Sequence, residues 1–303
     1  MEQKKVAILI STYNGEKYIA DQFESIFAQT YKNIDIFVRD DGSTDGSLDI
    51  LRNYEKQGKI NLVEDKNIGV WRSVNWLAKN TKGYDYYSFG DQDDIWMPDK
   101  IEKAVNALNN MKQDVPALYF CNYDYYDGEM KFLSHKKPID IDLTFINSLV
   151  NFFAYGFTCV INEPMKLLFL RVSPEVLFPH DYLFLILGTA LGNVVYDGNY
   201  ISAKYRRHGK NVSVTDESFI KIFLWRVKNF LINDSFKYVD KWNMINEIYG
   251  EDLCLENKKI LRWFISSKYN IKNAFRRAFY PKRFRGKLFD EITLRLMFII
   301  GKI

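Results

Sequence analysis

Apolar and polar positions alternate with two periods along the first 126 residues. "KVAILIS" (5–11) is an almost unbroken apolar run, the pattern of a strand buried on both faces. "YIADQFESIFAQ" (18–29) repeats its apolar residues at spacings of three and four, the stripe of an amphipathic helix. The exchange recurs, with strands at 34–40, 60–65, 84–89 and 117–126 and helices at 45–57, 69–80 and 97–111. Strands alternating with helices of this length predict an α/β fold. The sheet is expected to be twisted, mostly parallel, built from right-handed βαβ units and flanked by helices.

The second half is mixed. The spacing predicts a helix over 144–154, a strand over 156–162 and a short helix over 163–172 with Pro164 in its first turn. An apolar helix over 181–191 follows, opened by Asp181, and then strand-like runs at 193–197 and 200–208. From about Asp216 the pattern turns helical, at 219–232, 235–249, 258–279 and 288–300. The expected organisation is a domain over 1–215 and a helical C-terminal extension over 216–303.

Composition adds exclusions. With 47% hydrophobic and 16% aromatic residues, the chain has material for a large core and is not globally disordered. The three cysteines, Cys121, Cys159 and Cys254, form no C-x-x-C pair, so neither a zinc site nor a disulfide framework is expected, and a reducing cytoplasm fits. The first apolar run is too short for a signal peptide. No window reaches the roughly 18–20 uninterrupted apolar residues of a membrane-spanning helix. Charge is split: from Lys258 to Ile303 there are thirteen Lys/Arg against two Asp/Glu, whereas 1–257 carries a net charge of −7. A basic tail on an acidic body points to a polyanionic partner for the tail.

The candidate chemistry sits where strands end, because ligands of open α/β sheets bind beyond the carboxyl ends of strands. Those ends read "STYNGE" (11–16), "DDGSTDGS" (40–47) and "GDQDD" (90–94). Neither G-x-G-x-x-G nor a P-loop is present, so a bound nucleotide diphosphate needs another counter-charge. A divalent cation supplies one, since Mg²⁺ commonly takes one or two protein carboxylates and completes its shell with phosphate and water. Asp91 and Asp93 offer such a pair, although a lone D-x-D is a weak signal and Asp-rich loops are often solvated turns. Ser43 or Thr44 is a candidate helix cap. Asp40 or Asp41 could accept the imide N–H of a pyrimidine ring.

Taken in order, "STYNGEKY", "RDDGSTDGS", "NIGV" and "GDQDDIW" resemble the opening of glycosyltransferase family 2, inverting enzymes of the GT-A (Rossmann-like) fold. Looser likeness continues through "GFTCVIN", "PHDYLFLI" and "YRRHGKNVS", to about residue 215. These later segments look most like the bacterial rhamnosyltransferase branch of surface polysaccharide synthesis, despite Gly90 where Ser is common and Arg207 where Gln is common.

The resemblance implies roles. Residues 1–115 would form the nucleotide-sugar half and 116–215 the acceptor half. Thr12, Tyr13 and Asn14 would wall the base and ribose pocket, Asp40 or Asp41 would read the pyrimidine, and Asn67 and Gly69 would shape the nucleotide site. Asp91 and Asp93 would hold the diphosphate through Mg²⁺ or Mn²⁺, with His208 as a further metal or phosphate contact. Asp181 would be the general base, although an Asp before an apolar helix is also a good N-cap. Asp94, Trp96, Thr158 and His180 are expected at the acceptor or behind the primary contacts. His180 would orient Asp181, line the acceptor site, or be a plain surface histidine. Arg206 and Arg207 would pair with phosphate or face solvent.

The implied activity is inverting, metal-dependent transfer of a sugar, L-rhamnose from dTDP-L-rhamnose, to a lipid-linked saccharide acceptor. Alternatives are a UDP-hexose or UDP-GlcNAc donor, a sugar nucleotidyltransferase, or a catalytically silent nucleotide-binding scaffold. The basic helices are expected either at the inner face of the cell membrane, as a peripheral contact, or as a helical cap or homo-oligomer contact. Nucleic acid is not expected.

Overall fold

The computed structural model describes residues 3–208, 238–265 and 269–301. The chain forms two compact units, one of residues 1–138 with 152–206, the other of 139–151 with 207–303. The expected boundary at 215/216 and the expected helix over 219–232 lie outside the described residues.

The first unit carries a nine-stranded sheet. Its strands are β1 (Val6–Thr12), β2 (Ile34–Asp40), β3 (Asn61–Glu64), β4 (Tyr86–Gly90), β5 (Ile95–Trp96), β6 (Ala117–Tyr126), β7 (Phe132–His135), β8 (Val160–Asn162) and β9 (Asn193–Arg206). They run in the order β3-β2-β1-β4-β8-β6-β9-β5, with β7 added on β6. The pairs β3–β2, β2–β1 and β1–β4 are parallel, as the alternating pattern requires. Beyond β4 the sheet is mixed: β8 is antiparallel to both β4 and β6, β9 is parallel to β6, and β5 is antiparallel to β9. A mostly parallel sheet therefore describes the first half and not the second. There the antiparallel pairs β4–β8, β8–β6 and β5–β9 join strands far apart in the chain, so local alternation does not report their direction, and of the antiparallel pairs only β6–β7 is linked by a short loop.

β1 lies in the middle of the parallel part and is apolar because it has no solvent face; Val6 to Ile10 are all at most 1% exposed. Its crossover helix α1 (Ile19–Phe27) buries Ile19, Gln22, Phe23 and Ile26, one face at helical spacing. The crossovers α2 (Ser47–Lys56), α3 (Val70–Asn80) and α4 (Lys100–Asn109) follow their strands where the pattern placed them.

Register brings the polar ends together. Thr12 pairs with Asp40, and Ile10 with Gly90. The loops 11–16, 40–47 and 90–94 thus leave the same edge of the sheet. β9 ends at that edge too, because Ile95 pairs with Lys204 and the Arg206 N–H donates to Asp94 Oδ1 at 3.1 Å.

Three expectations change. The helix over 144–154 shrinks to α5 (Phe145–Ser148), capped by the Thr144 hydroxyl. The strand over 156–162 begins as a 3₁₀ turn, Gly156–Thr158, before β8. The two runs at 193–197 and 200–208 are one long strand, β9. The remaining helices of the first unit are α6 (Glu163–Phe169) and α7 (His180–Leu191).

In the second unit α8 (Tyr238–Tyr249) buries Trp242, whose indole N–H donates to Leu149 O at 3.1 Å. The helix expected over 258–279 is interrupted, giving α9 (Leu255–Leu261) and α10 (Ile271–Ala278), followed by α11 (Leu288–Ile299). Among the described residues no helix is long and apolar enough to cross a membrane.

Ile8→Ala tests the central position of β1. Removing a fully buried side chain between two parallel neighbours is expected to cost about 2–5 kcal/mol of stability, read from urea unfolding.

Candidate active site

The strand-end loops are bound to one another by their own polar groups. Thr12 Oγ1 donates to Asp40 Oδ2 at 2.9 Å, and Ser43 donates to Asp40 from both its N–H (2.8 Å) and its hydroxyl (2.7 Å). Asn14 occupies the left-handed region at φ 48°, where a short amide side chain is tolerated. Its N–H donates to Ser43 Oγ at 2.9 Å and its Oδ1 accepts from Thr44 N at 2.8 Å. Asp41 accepts from Ile68 N (3.0 Å), Gly69 N (2.8 Å) and the Arg39 guanidinium. Asn67 Oδ1 also accepts from Gly69 N, at 3.1 Å. Asp40 and Asp41 are both buried, so these two carboxylates fix the loop geometry from behind, while the Tyr13 ring stands 46% exposed.

Gln92, the residue between the paired aspartates, has no role in the sequence reading. Its amide clasps the Tyr13 backbone from both sides, accepting from Tyr13 N at 2.8 Å and donating to Tyr13 O at 3.0 Å. A Cβ on Gly15 would lie 2.5 Å from Gln92 Oε1, so this approach requires glycine at 15. The loop after β1 and the loop after β4 are therefore joined by a single side chain.

The acidic loop divides by depth. Asp91 is open to solvent and Asp93 half-buried, whereas Asp94 is wholly buried. The protein around Asp91, with the carboxylates of Asp93 and Asp181, pushes its pKa up to about 7. Burial, then Asp93 and Asp91, pushes the Asp94 carboxyl well up, and its Oδ2 has no hydrogen-bond partner among the described residues. Asp94 faces the protein.

Asp181 is not the cap: Pro179 is the N-cap of α7, and Asp181 lies two residues beyond it, in the first turn. Its Oδ1 accepts from Tyr182 N at 2.8 Å and its Oδ2 from Gly156 N at 3.1 Å. Two backbone donors thus orient the carboxylate and leave acceptor capacity on both oxygens. His180 is not a surface histidine. Its ring centroid lies 5.2 Å from that of Phe89 and 5.7 Å from that of Phe184, and both ring nitrogens are buried without a hydrogen-bond partner among the described residues. Burial pushes its pKa down, against the opposing charge of Asp181, so the imidazole is neutral.

Two cations serve structure. Arg206 is buried, and neither of its expected settings, a phosphate or open solvent, applies. Its guanidinium donates to Asp93 O (2.9 Å), Gly128 O (3.2 Å) and Asp21 Oδ2 (2.8 Å) and lies 4.9 Å from the Tyr18 ring centroid. Lys100 is buried, donates to Phe157 O and stands 3.3 Å from the centroid of the Trp96 ring. Burial lowers its pKa to about 7, partly offset by Cys121 and Asp94. Trp96 and Thr158 are buried as well; Thr158 Oγ1 donates to Tyr155 O at 2.8 Å.

Among the described residues no three His, Cys, Asp or Glu side chains are grouped to hold a metal ion. Of the expected set, Asp91 and Asp93 belong to the first unit and His208 to the second. The Asp91–Asp93 pair still suits a hard divalent cation. It offers oxygen donors alone, and a cation would relieve the repulsion from Asp93 and Asp181 that adds to desolvation in raising Asp91.

Residues 7–170, more than half the chain, match the family model for glycosyl transferase family 2. The chain belongs to glycosyltransferase family 2. An uncharacterised glycosyltransferase of Rickettsia typhi is 31% identical over 223 residues, 69% of this chain and 66% of that protein. The dTDP-rhamnosyl transferase RfbG of Shigella flexneri is 39% identical over 105 residues, 33% of this chain and 36% of that protein. The chain spans less than two thirds of the length of either relative. Among solved structures, S. aureus TarS 1–349 in complex with UDP-GlcNAc superposes with a TM-score of 0.56 at 16% identity, covering 98% of this chain and 92% of that one. A Pyrobaculum calidifontis mannosyltransferase in complex with GDP-Man and Mn²⁺ gives 0.52 at 16% identity, covering 86% and 73%. These likenesses carry the fold: a mixed α/β sheet of the GT-A type, as the motif order implied.

In this family 2 domain Arg206→Ala is expected to lower stability by about 2–3 kcal/mol, because the half-buried Asp93 and Gly128 carbonyls lose a charged donor. Arg206→Lys should recover less than half, since an ammonium cannot reproduce the planar fork. Thermal and urea unfolding of the two variants measure the difference.

Proposed function

We propose that the chain is an inverting glycosyltransferase that moves a sugar from a nucleotide diphosphate donor to a saccharide hydroxyl. The observation that supports this most is that α7 packs its first turn on the end of β4, through His180 on Phe89, and the Asp181 charge there helps to raise the Asp91 pKa. An acceptor-side carboxylate thereby faces a diphosphate-side pair. The donor's base and ribose would lie against the exposed Tyr13 ring, on the loops fixed by Asp40, Asp41, Asn67 and Gly69. The acceptor hydroxyl would give its proton to Asp181 as its oxygen bonds to the anomeric carbon and the bond from that carbon to the diphosphate oxygen breaks. The Gly156 and Tyr182 N–H groups hold the carboxylate in place for that transfer. Mg²⁺ or Mn²⁺ held by Asp91 and Asp93 would supply charge stabilisation to the leaving diphosphate.

L-Rhamnose from dTDP-L-rhamnose is the favoured donor, on the likeness to RfbG and on the "GDQDDIW", "HD" and "YRRHGKNVS" segments. A lipid-linked saccharide is the proposed acceptor, which places the enzyme peripherally at the inner face of the cell membrane with its basic C-terminal helices toward the lipid. A second reading keeps the chemistry and changes the donor to UDP-GlcNAc, which the structural neighbour TarS binds.

A transfer assay over a panel of nucleotide sugars, with and without Mg²⁺ or Mn²⁺, tests both readings. Activity with dTDP-L-rhamnose alone supports the first; activity only with UDP-GlcNAc replaces it. Asp181→Asn is expected to lower kcat by roughly 10²–10⁴-fold with folding intact, and near-normal transfer would sink the base assignment. Asp93→Ala should remove the dependence on divalent metal together with most of the activity. If metal stimulation survives that change, the diphosphate assignment fails.

A further inference from the structure

The outer face of the second unit is built the wrong way round for water. Surface helices of soluble proteins turn apolar residues inward and charge outward. In α11 all the exposed residues are apolar: Leu288 (68%), Phe289 (49%), Ile292 (50%) and Leu296 (55%). Ile300, just past its end, is 61% exposed. The helix also has an ordinary inner face, with Leu294 and Phe298 buried. Its charges turn inward: Glu291 is buried and accepts from Phe284 N (2.8 Å) and Arg285 N (2.7 Å), and Arg295 pairs with Glu291 at 2.5 Å.

α10 packs against α11 as an antiparallel partner, with the Tyr269 hydroxyl donating to Ile299 O at 2.6 Å and Arg295 donating to Ala278 O at 2.7 Å. It carries a second exposed stripe, Ile271, Phe275 and Phe279, at spacings of four. Exposed Lys272 and Arg276 run beside that stripe, one residue on. Arg277 turns inward instead and lies over the Phe264 and Phe298 rings. From Tyr269 to Gly301 there are eight Lys/Arg against two Asp/Glu, and neither acid is among the exposed residues, which include Lys282, Arg283 and Lys287.

We propose that the α10–α11 hairpin is an interfacial anchor that lies in the plane of an anionic lipid surface. Ile271, Phe275, Phe279, Ile292, Leu296 and Ile300 enter the acyl boundary while the basic residues meet lipid phosphates. This rests on the peripheral membrane location proposed above and narrows it to one hairpin and one lipid chemistry. The partner follows from the combination of features. A two-fold contact between copies would set the same cations against themselves with no exposed acid in the segment to answer them. The exposed aliphatic residues Ile271, Leu288, Ile292, Leu296 and Ile300 outnumber the rings of Phe275, Phe279 and Phe289, and only rings offer nucleic-acid bases a stacking surface. An apolar stripe flanked by Lys and Arg is the pattern of an in-plane helix on anionic lipid. α11, at twelve residues, is about 18 Å long, too short to cross a hydrocarbon core of about 30 Å.

Co-sedimentation of the full chain with vesicles, without donor or acceptor, provides the test. Binding is expected to vesicles of phosphatidylcholine mixed with phosphatidylglycerol, weak binding to phosphatidylcholine alone, and a marked loss at high salt. Lys272→Gln with Arg276→Gln should weaken binding roughly 20–30-fold. Phe275→Ser with Ile292→Ser and Leu296→Ser should abolish it while leaving the circular dichroism spectrum unchanged. No binding to anionic vesicles overturns the proposal, as does equal, salt-insensitive binding to both vesicle types. So does a serine variant that only dissociates a dimer in sedimentation velocity. The same variants keep transfer to a water-soluble saccharide acceptor if the transferase reading holds, so each idea can fail without the other.

Discussion

Repulsion among carboxylates is the constraint around which the first unit is arranged. The surrounding protein pushes Asp91 up to about 7 and Asp94 well above its usual range, and neighbouring carboxylates add to it, Asp93 and Asp181 at Asp91, Asp93 and Asp91 at Asp94. Left alone, such a cluster would drive its loop apart. It is held by donors that reach it from several directions. Arg206 grips the loop backbone at Asp93 and extends to Asp21 on α1, the Arg206 N–H meets Asp94, and buried Lys100 adds a positive charge behind. The arrangement makes sense where a cation and a diphosphate are meant to complete the charge.

The same edge depends on ordinary sheet register. A slip of one residue between β1 and β2 would move Thr12 off Asp40, so the register of this pair decides which polar groups meet at the edge. Thr12 then meets Asp40, and the loops beyond are locked by Asn14, Ser43, Asp41 and Gly69. Gln92 ties this rim to the acidic loop. Rigid backbone hydrogen bonding is thus concentrated where a preorganised site needs it, while the Tyr13 ring and Asp91 remain open to solvent.

The second unit follows different rules. Its inner faces pack around aromatic residues such as Trp242, Phe264, Phe284 and Phe298, with Arg277 and Arg295 drawn inward against rings and helix-end carbonyls. What remains outside on α10 and α11 is apolar residues and uncompensated cations. Sequence periodicity alone registers α11 as weakly amphipathic, because both of its faces are apolar.

The local pattern of the chain was enough to determine the parallel half of the sheet, its crossover helices, the family and the candidate carboxylates. Each of these depends on residues near one another in sequence: a buried strand must be apolar, a crossover helix must carry a stripe, and the motifs sit at strand ends. Tertiary structure decided the rest. Whether Arg206 faces phosphate, solvent or a loop backbone, and whether His180 is exposed or wedged between Phe89 and Phe184, depends on what β9 and α7 pack against. Gln92 became visible only when the β1 and β4 loops met, 79 residues apart in the chain. The antiparallel placement of β8 and the short β5 likewise came from pairing partners distant in sequence. Local propensity sets which elements form, but long-range contacts set which polar group meets which, and the chemistry of the edge is made of those meetings.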